Sequence, residues 1–294
     1  MNNTIFIRSP LDKLVDFIIY VLLLLICAIT IYPLVYVISM SISGPEAVLR
    51  QEIWLYPIGF SLASYELIMN SGMFWLAYGN TLWYVIVGTI INMALTLTAA
   101  YALSVNVFFA KNFFMIMFVI TMFFSGGMIP LFLQVNRLGL YDTRWAIVLP
   151  AAISTWNLII ARTYFKMSIP EGISESAKID GANDLLIFLR IVLPVSKPII
   201  AVLIIFYAVG HWNSWFTANL FLASVDLHPL QLFLRRMLLT TADPFMIDAS
   251  IEHIAAVQQM KFASIVISTL PILCIYPFFQ KHFVKGIMLG SLKG

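Results

Sequence analysis

The chain has 294 residues, of which 61% are hydrophobic and only 11% charged, and its mean hydropathy is +0.94. Soluble domains carry roughly 25% charged residues, so this composition excludes an ordinary soluble globule and describes an integral membrane protein. The net charge of +3 is too small to suggest a nucleic-acid partner, and Cys27 and Cys274 sit in distant apolar runs as small hydrophobes, with no disulfide or metal framework.

Crossing about 30 Å of hydrocarbon takes roughly 20 residues of helix. Apolar runs of that order predict six spans, at about 14–40, 76–104, 112–134, 145–168, 198–223 and 260–283. The first begins after Arg8 and Lys13 as a signal peptide would, but it is too long for an h-region and lacks a small-residue cleavage site, so it is expected to stay as a first helix. With the N terminus in the cytoplasm, eleven of the 17 basic residues fall inside and six outside, which favours cytoplasmic termini. The outer side then receives the long connections 41–75 and 224–259 and a short one at "NRLGLYDTR". Asn80, Asn92 and Asn157 lie within spans, where polar groups face protein or a cavity, and interhelical packing is their expected role.

Between the fourth and fifth spans lies a polar cytoplasmic loop, 169–197. Pro170 suits a first helical position, "PEGISESAKI" predicts a short helix, and Gly181 suits the left-handed residue after its end. Asn183 is the expected cap of a second helix carrying Leu185, Leu186, Phe188, Leu189 and Ile191, which should halt at "LPVSKP". On the first helix Ile173, Ala177 and Gly181 recur every four residues, predicting a narrow face that enters a groove on another protein.

The fifth span contains "HWNSWFTANLF". As one helix it would place Trp212, Trp215 and Asn219 on a single face, and with Asn213 these residues are candidates for a path along which aromatic faces and amides hold a sugar; Trp at the membrane interface and Asn in helix packing are the competing reading. Beyond it, Arg235 and Arg236 end an apolar helix on the outer side, suited to acidic sugars, an acidic protein rim or the membrane surface. The tail, 284–294, is too polar to continue the last span.

Glu175, Ser176 and Ala177, then Gly181 after three residues, then Ile191, Leu193 and Pro194 after nine more, resemble the EAA signature of bacterial ABC importer permeases. The one departure is Ser176, where the signature has Ala. The resemblance runs from about residue 75 to the C terminus, and the closing "FVKGIMLGSLKG" is similar to the carbohydrate-importer branch, of the maltose-permease type. It implies an all-α type I importer permease of six transmembrane helices in a bacterial cytoplasmic (inner) membrane. Residues 1–75 would hold the first helix and first outer loop, 76–283 the transmembrane domain, and 284–294 the cytoplasmic tail. It also implies partners: a second homologous permease, two ATPases carrying ATP and Mg, an extracytoplasmic solute-binding protein and a carbohydrate substrate. The short helix would be the coupling helix that docks on an ATPase, and Gly290, Lys293 and Gly294 would reach between the ATPases.

The chain carries no phosphate loop, since no glycine is followed by lysine, and no His-Glu-x-x-His or Gly-x-Ser-x-Gly motif. His211, His228, His253 and His282 lack ligand spacing, so no metal, cofactor or catalytic residue is expected on this subunit. A channel or secondary transporter would need an inverted repeat or buried charges that the sequence lacks. An amino acid or peptide would suit the same coupling signature.

Overall fold

The structure is a computed structural model and describes residues 10–239 and 258–274. The expected end of the sixth span, the tail 284–294 and with it Gly290, Lys293 and Gly294 lie outside the described residues. All regular elements among the described residues are helical. They fall into two compact units, one within Met1–Asn70 and Thr240–Ile267, the other within Ser71–Leu239 and Ser268–Gly294.

The first unit contains α1 (Pro10–Ser41), α2 (Pro45–Leu49) and α3 (Ala63–Met69). Almost every side chain of α1 between Leu11 and Leu34 is exposed, which suits a helix surrounded by lipid. Only its end is buried, where Met40 packs with Ala47, Val48 and Ile53. Polar contacts reinforce this small core: the Ser41 and Tyr65 hydroxyls lie 2.8 Å apart, and Gln259 Nε2 donates to the carbonyls of Ser41 and Ser43.

The second unit is built around α4 (Gly72–Ser104). Ser71 caps it by accepting from Phe74 N–H, and its interior face packs against α8 (Thr155–Ser168) and α12 (Lys197–Trp212). Leu97, Ala100, Leu158, Phe165, Val192 and Leu203 form the heart of that contact. Close approach is imposed at Gly88, where any Cβ would be driven into the His211 imidazole.

The predicted spans are not uninterrupted helices. The third is split into α5 (Lys111–Phe123) and α6 (Met128–Arg137), bent by 118°. The reason lies in "SGG": Gly127 has φ +89°, open to glycine, and its N–H turns to Ser125 Oγ. In the fourth, α7 (Trp145–Val148) stops before Pro150, and α8 starts only after Ser154, whose Oγ caps Asn157 N–H. The fifth breaks at Asn213 and Ser214, between α12 and α13 (Trp215–Phe221). There the Ser214 hydroxyl and Asn213 amide donate to the carbonyls of His211 and Val209, competing with the helix ladder. Helix lengths alone therefore give two crossings among the described residues, α1 and α4, or four when each bent pair counts as one.

Broken backbone in an apolar surrounding needs internal partners. Asn92 supplies them, its Nδ2 donating to the carbonyls of Ala151 and Ala152 at 2.8 and 2.9 Å. Asn80 does the same near the other end of α4, donating to Asp226 and His228 carbonyls and accepting from Arg144. Both fill the expected packing role.

Candidate coupling loop and translocation path

The polar loop folds as a helix, a tight turn and a helix. The first helix, α9 (Glu171–Ile179), begins one residue later than expected, with Pro170 as its cap rather than its first turn. Its end is a complete Schellman motif: Ala182 N–H reaches back to the Ala177 carbonyl at 2.9 Å and Gly181 N–H to that of Lys178 at 3.0 Å, with Gly181 at φ +84°. Asn183 then caps α10 (Asp184–Ile187), its side chain accepting from Leu186 N–H at 2.8 Å. Lys178 bridges the two helices, 2.9 Å from Asp184, and this contact raises its pKa.

The second helix ends inside "LPVSKP", as expected, but it passes Pro194 first. It runs on through a π-helical turn, Phe188–Val192, and a last turn, α11 (Leu193–Val195). Proline lacks an N–H and its ring crowds the carbonyl four residues back, and the wider π turn just before it relieves that conflict. The chain bends by 85° only at Ser196, whose N–H is shared between the carbonyls of Val192 and Leu193.

The signature residues divide by role. Ala177, Ile191 and Leu193 pack against the α4–α8–α12 core, Gly181 makes the turn, and Pro194 sits at the last turn. Ala177 is thus turned inward while Ile173 and Gly181 stay exposed, so the three residues expected to form one narrow face do not all point the same way. Glu175 and Ser176 are exposed. The Ser176 hydroxyl donates to the Gly172 carbonyl at 2.8 Å on its own helix, so serine substitutes for alanine there without an orphaned donor. Glu175 lines a cleft of about 210 Å³ with Lys166, Ser174 and Lys178.

A second candidate site lies where α7–α8 and α12–α13 break. A recess of about 440 Å³ is walled by Ser154, Asn157, Tyr207, His211, Asn213 and Thr217, among others. Its polar groups are held in place. The Tyr207 hydroxyl lies 2.6 Å from Thr96 Oγ1 and accepts from Ser154 N–H. His211 Nε2 lies 2.6 Å from Asn92 Oδ1, and because both amide protons of Asn92 go to carbonyls, Nε2 must be the donor in that pair.

Of the sequence candidates, Asn213 lines this recess, whereas Trp212, Trp215 and Asn219 do not. The single face drawn through them fails because the helix breaks at Asn213 and Ser214. Trp212 is buried edge-on to Tyr78, Trp215 packs beside Ala218 and Leu222, and Asn219 is exposed. Tyr207 and His211 were missed, although their four-residue spacing in an apolar run was the available signal.

Further along, the loop after α6 is fastened to the loop after α13. Asp142, at φ +56°, accepts from the Ala223 and Ser224 N–H groups at 2.9 and 2.8 Å and from the Ser224 hydroxyl at 2.6 Å. Those bonds, the Ser224 hydroxyl foremost, hold its carboxyl below the usual carboxylate range. Tyr84 donates to the Leu227 carbonyl, and Leu230 N–H to Thr81 Oγ1, so this end of α4 is tied to the same loop.

Apolar helices with breaks, a polar recess at those breaks and a capped polar helical hairpin suit a membrane transport subunit. Residues 96–289 match the family described as binding-protein-dependent transport system inner membrane component, and the chain belongs to that family. It is 41% identical over 96% of its length, and 99% of the relative's, to the polygalacturonan/rhamnogalacturonan transport system permease protein YtcP of Bacillus subtilis (strain 168). It is 27% identical, over 92% of its length and 93% of the relative's, to the arabinooligosaccharides transport system permease protein AraQ of Halalkalibacterium halodurans. A solved bacterial ABC transporter involved in the import of the acidic polysaccharide alginate contains a chain that superposes with a TM-score of 0.86 at 32% identity, covering 94% of this chain and 98% of that one. The protein is accordingly a membrane-embedded permease subunit of an ABC importer with the type I fold.

Proposed function

We propose that this permease passes an acidic oligosaccharide, of the uronate-containing class, delivered by an extracytoplasmic binding protein. The observation that carries the reading is the near full-length likeness to two systems named for polygalacturonan/rhamnogalacturonan and for alginate. The recess supports it, because hydroxyl, amide and imidazole groups at a helix break suit a hydroxyl-rich solute.

In this reading six spans cross the inner membrane with both termini in the cytoplasm, residues 76–283 form the transmembrane domain, and a second permease completes the path. The loop 169–197 docks on one of two ATPases, which carry ATP and Mg. Its built-in Schellman turn, salt bridge and apolar anchoring make it a stiff lever, which a mechanical link requires.

The test is reconstitution in proteoliposomes with partner permease, ATPases and binding protein. Galacturonate oligosaccharides should stimulate ATP hydrolysis and be taken up, and arabino-oligosaccharides or peptides should do so far less. Stimulation by peptides, with none by any oligosaccharide, would overturn the carbohydrate reading; equal stimulation by neutral and acidic sugars would overturn the acidic one.

A further inference from the structure

Two arginine–tryptophan pairs flank one buried cluster, formed by Tyr84, Ile147, Val148, Ala218, Leu222 and Leu232, with Trp83 and Trp215 packed on its rim. Their chemistry differs. Arg144 lies 5.2 Å from the Trp83 centroid, and its Nη2 is committed to Asn80 Oδ1 at 2.9 Å, so this guanidinium serves the fold. The other arginine comes from α14 (Leu230–Leu239), which packs along α13 and α4. Arg235 sets its guanidinium carbon 3.8 Å from the Trp215 centroid and remains exposed. Among the described residues its N–H groups meet no hydrogen-bond acceptor and no carboxylate.

A guanidinium at that distance is attracted by the ring's negative face. The contact restrains the side chain but uses none of its five N–H donors, which stay available at the edge of the plane. A planar fork of donors, positioned in advance and without an acceptor among the described residues, matches a carboxylate, which offers two coplanar oxygens and a full negative charge. A sugar hydroxyl offers neither. The helix that carries Trp215 reaches the recess: Phe216 and Thr217 of α13 line it at the helix break, while Trp215 itself packs on the neighbouring cluster.

We propose that Arg235, seated on Trp215, is a specificity-determining residue that receives the carboxylate of a uronate unit at the mouth of the path. This rests on the acidic-oligosaccharide reading above. Trp215 thereby acts as the platform of the arginine rather than of the sugar, because the guanidinium covers the ring face it would otherwise share.

The experiment compares the full importer, with its binding protein, in proteoliposomes carrying wild-type subunit, Arg235→Gln or Arg235→Lys. Uptake is measured for a galacturonate oligosaccharide and for its neutral methyl-esterified counterpart, and assembled complex is quantified alongside. In Arg235→Gln the preference for the acidic oligomer should fall about tenfold, the loss expected of one charge-assisted pair, while neutral uptake holds. Arg235→Lys should retain part of the preference, having the charge without the fork. An undiminished preference in Arg235→Gln overturns this proposal alone. An equal fall for both sugars also overturns it and makes Arg235 a docking or packing residue. A wild-type importer that takes up no acidic oligomer removes the acidic reading itself.

Discussion

Single residues decide whether the broken helices of this chain are tolerable. His211 reaches Asn92 only because Gly88 leaves room on α4, and Asn92 in turn satisfies the carbonyls freed before α8. Gly88→Val is therefore expected to cost about 1–3 kcal/mol through overpacking alone, and to displace the imidazole from the recess. Thermal unfolding of the purified complex should show the loss, with Gly88→Ala milder; an unchanged melting temperature for Gly88→Val would refute the close contact. Asp142 is the matching residue of the latch between the loops after α6 and α13. Its folded pKa is depressed, so the unfolded chain binds the proton more readily, and the latch's contribution is complete above the ordinary carboxylate pKa and lost as pH falls through the lower, folded value. Asp142→Ala should remove that dependence and cost about 1–2 kcal/mol, modest because the bonds are solvent-exposed. Stability measured from pH 7 down to pH 3 should lose a step in the variant, and identical profiles would show that the latch contributes nothing.

At the scale of elements, the hairpin of the loop shows what a sequence transmits and what it withholds. Its caps were legible, because Asn183 and Gly181 act through local backbone chemistry that needs no neighbour. The existence of α1 and α4 was legible for a similar reason: each is a predominantly apolar run of the required length, free of charged side chains over the 18 residues or more that a span needs. What was not legible is where apolar runs break. Neither Asn213 nor Ser214 is a strong helix breaker, and their effect depends on the alternative hydrogen bonds they make to Val209 and His211. The same limit hid the recess, since Tyr207, His211 and Asn157 converge only after the breaks form. The inward turn of Ala177 was also invisible, because periodicity gives spacing without saying what lies opposite. The turn makes its own prediction. A Cβ at Gly181 would meet nothing within 4 Å, so substitution there acts through backbone strain and not through a clash. Gly181→Ala should cost about 1–2 kcal/mol at that turn and lower substrate-stimulated ATP hydrolysis, whereas Gly181→Asn, better tolerated in the left-handed region, should cost less. Equal effects of the two would point to a steric role instead.

For the whole molecule, the question is whether the hairpin is the part that feels the ATPase. Ala177, Ile191 and Leu193 tie it to the helices that wall the recess, so a displacement of α9 would be passed inward through packed side chains. Glu175 and Ser176 are exposed, Glu175 on the cleft it shares with Lys166 and Lys178, and Ile179 is 86% exposed at the end of α9. Docking in a cleft would cover Ile179 and partly desolvate the Glu175 carboxylate, which is costly unless a cation meets it. An arginine or lysine is accordingly expected on the ATPase. Glu175→Lys would set two cations together, and losing one partner of such a pair costs about 2–5 kcal/mol at an interface, enough to weaken docking severely. The variant should fold and insert normally, because Glu175 is exposed and supports no contact in the core. Transport and substrate-stimulated ATP hydrolysis should fall together, and the reverse substitution at the ATPase cation should restore both. Wild-type coupling in the single Glu175→Lys variant would show that force enters the permease elsewhere.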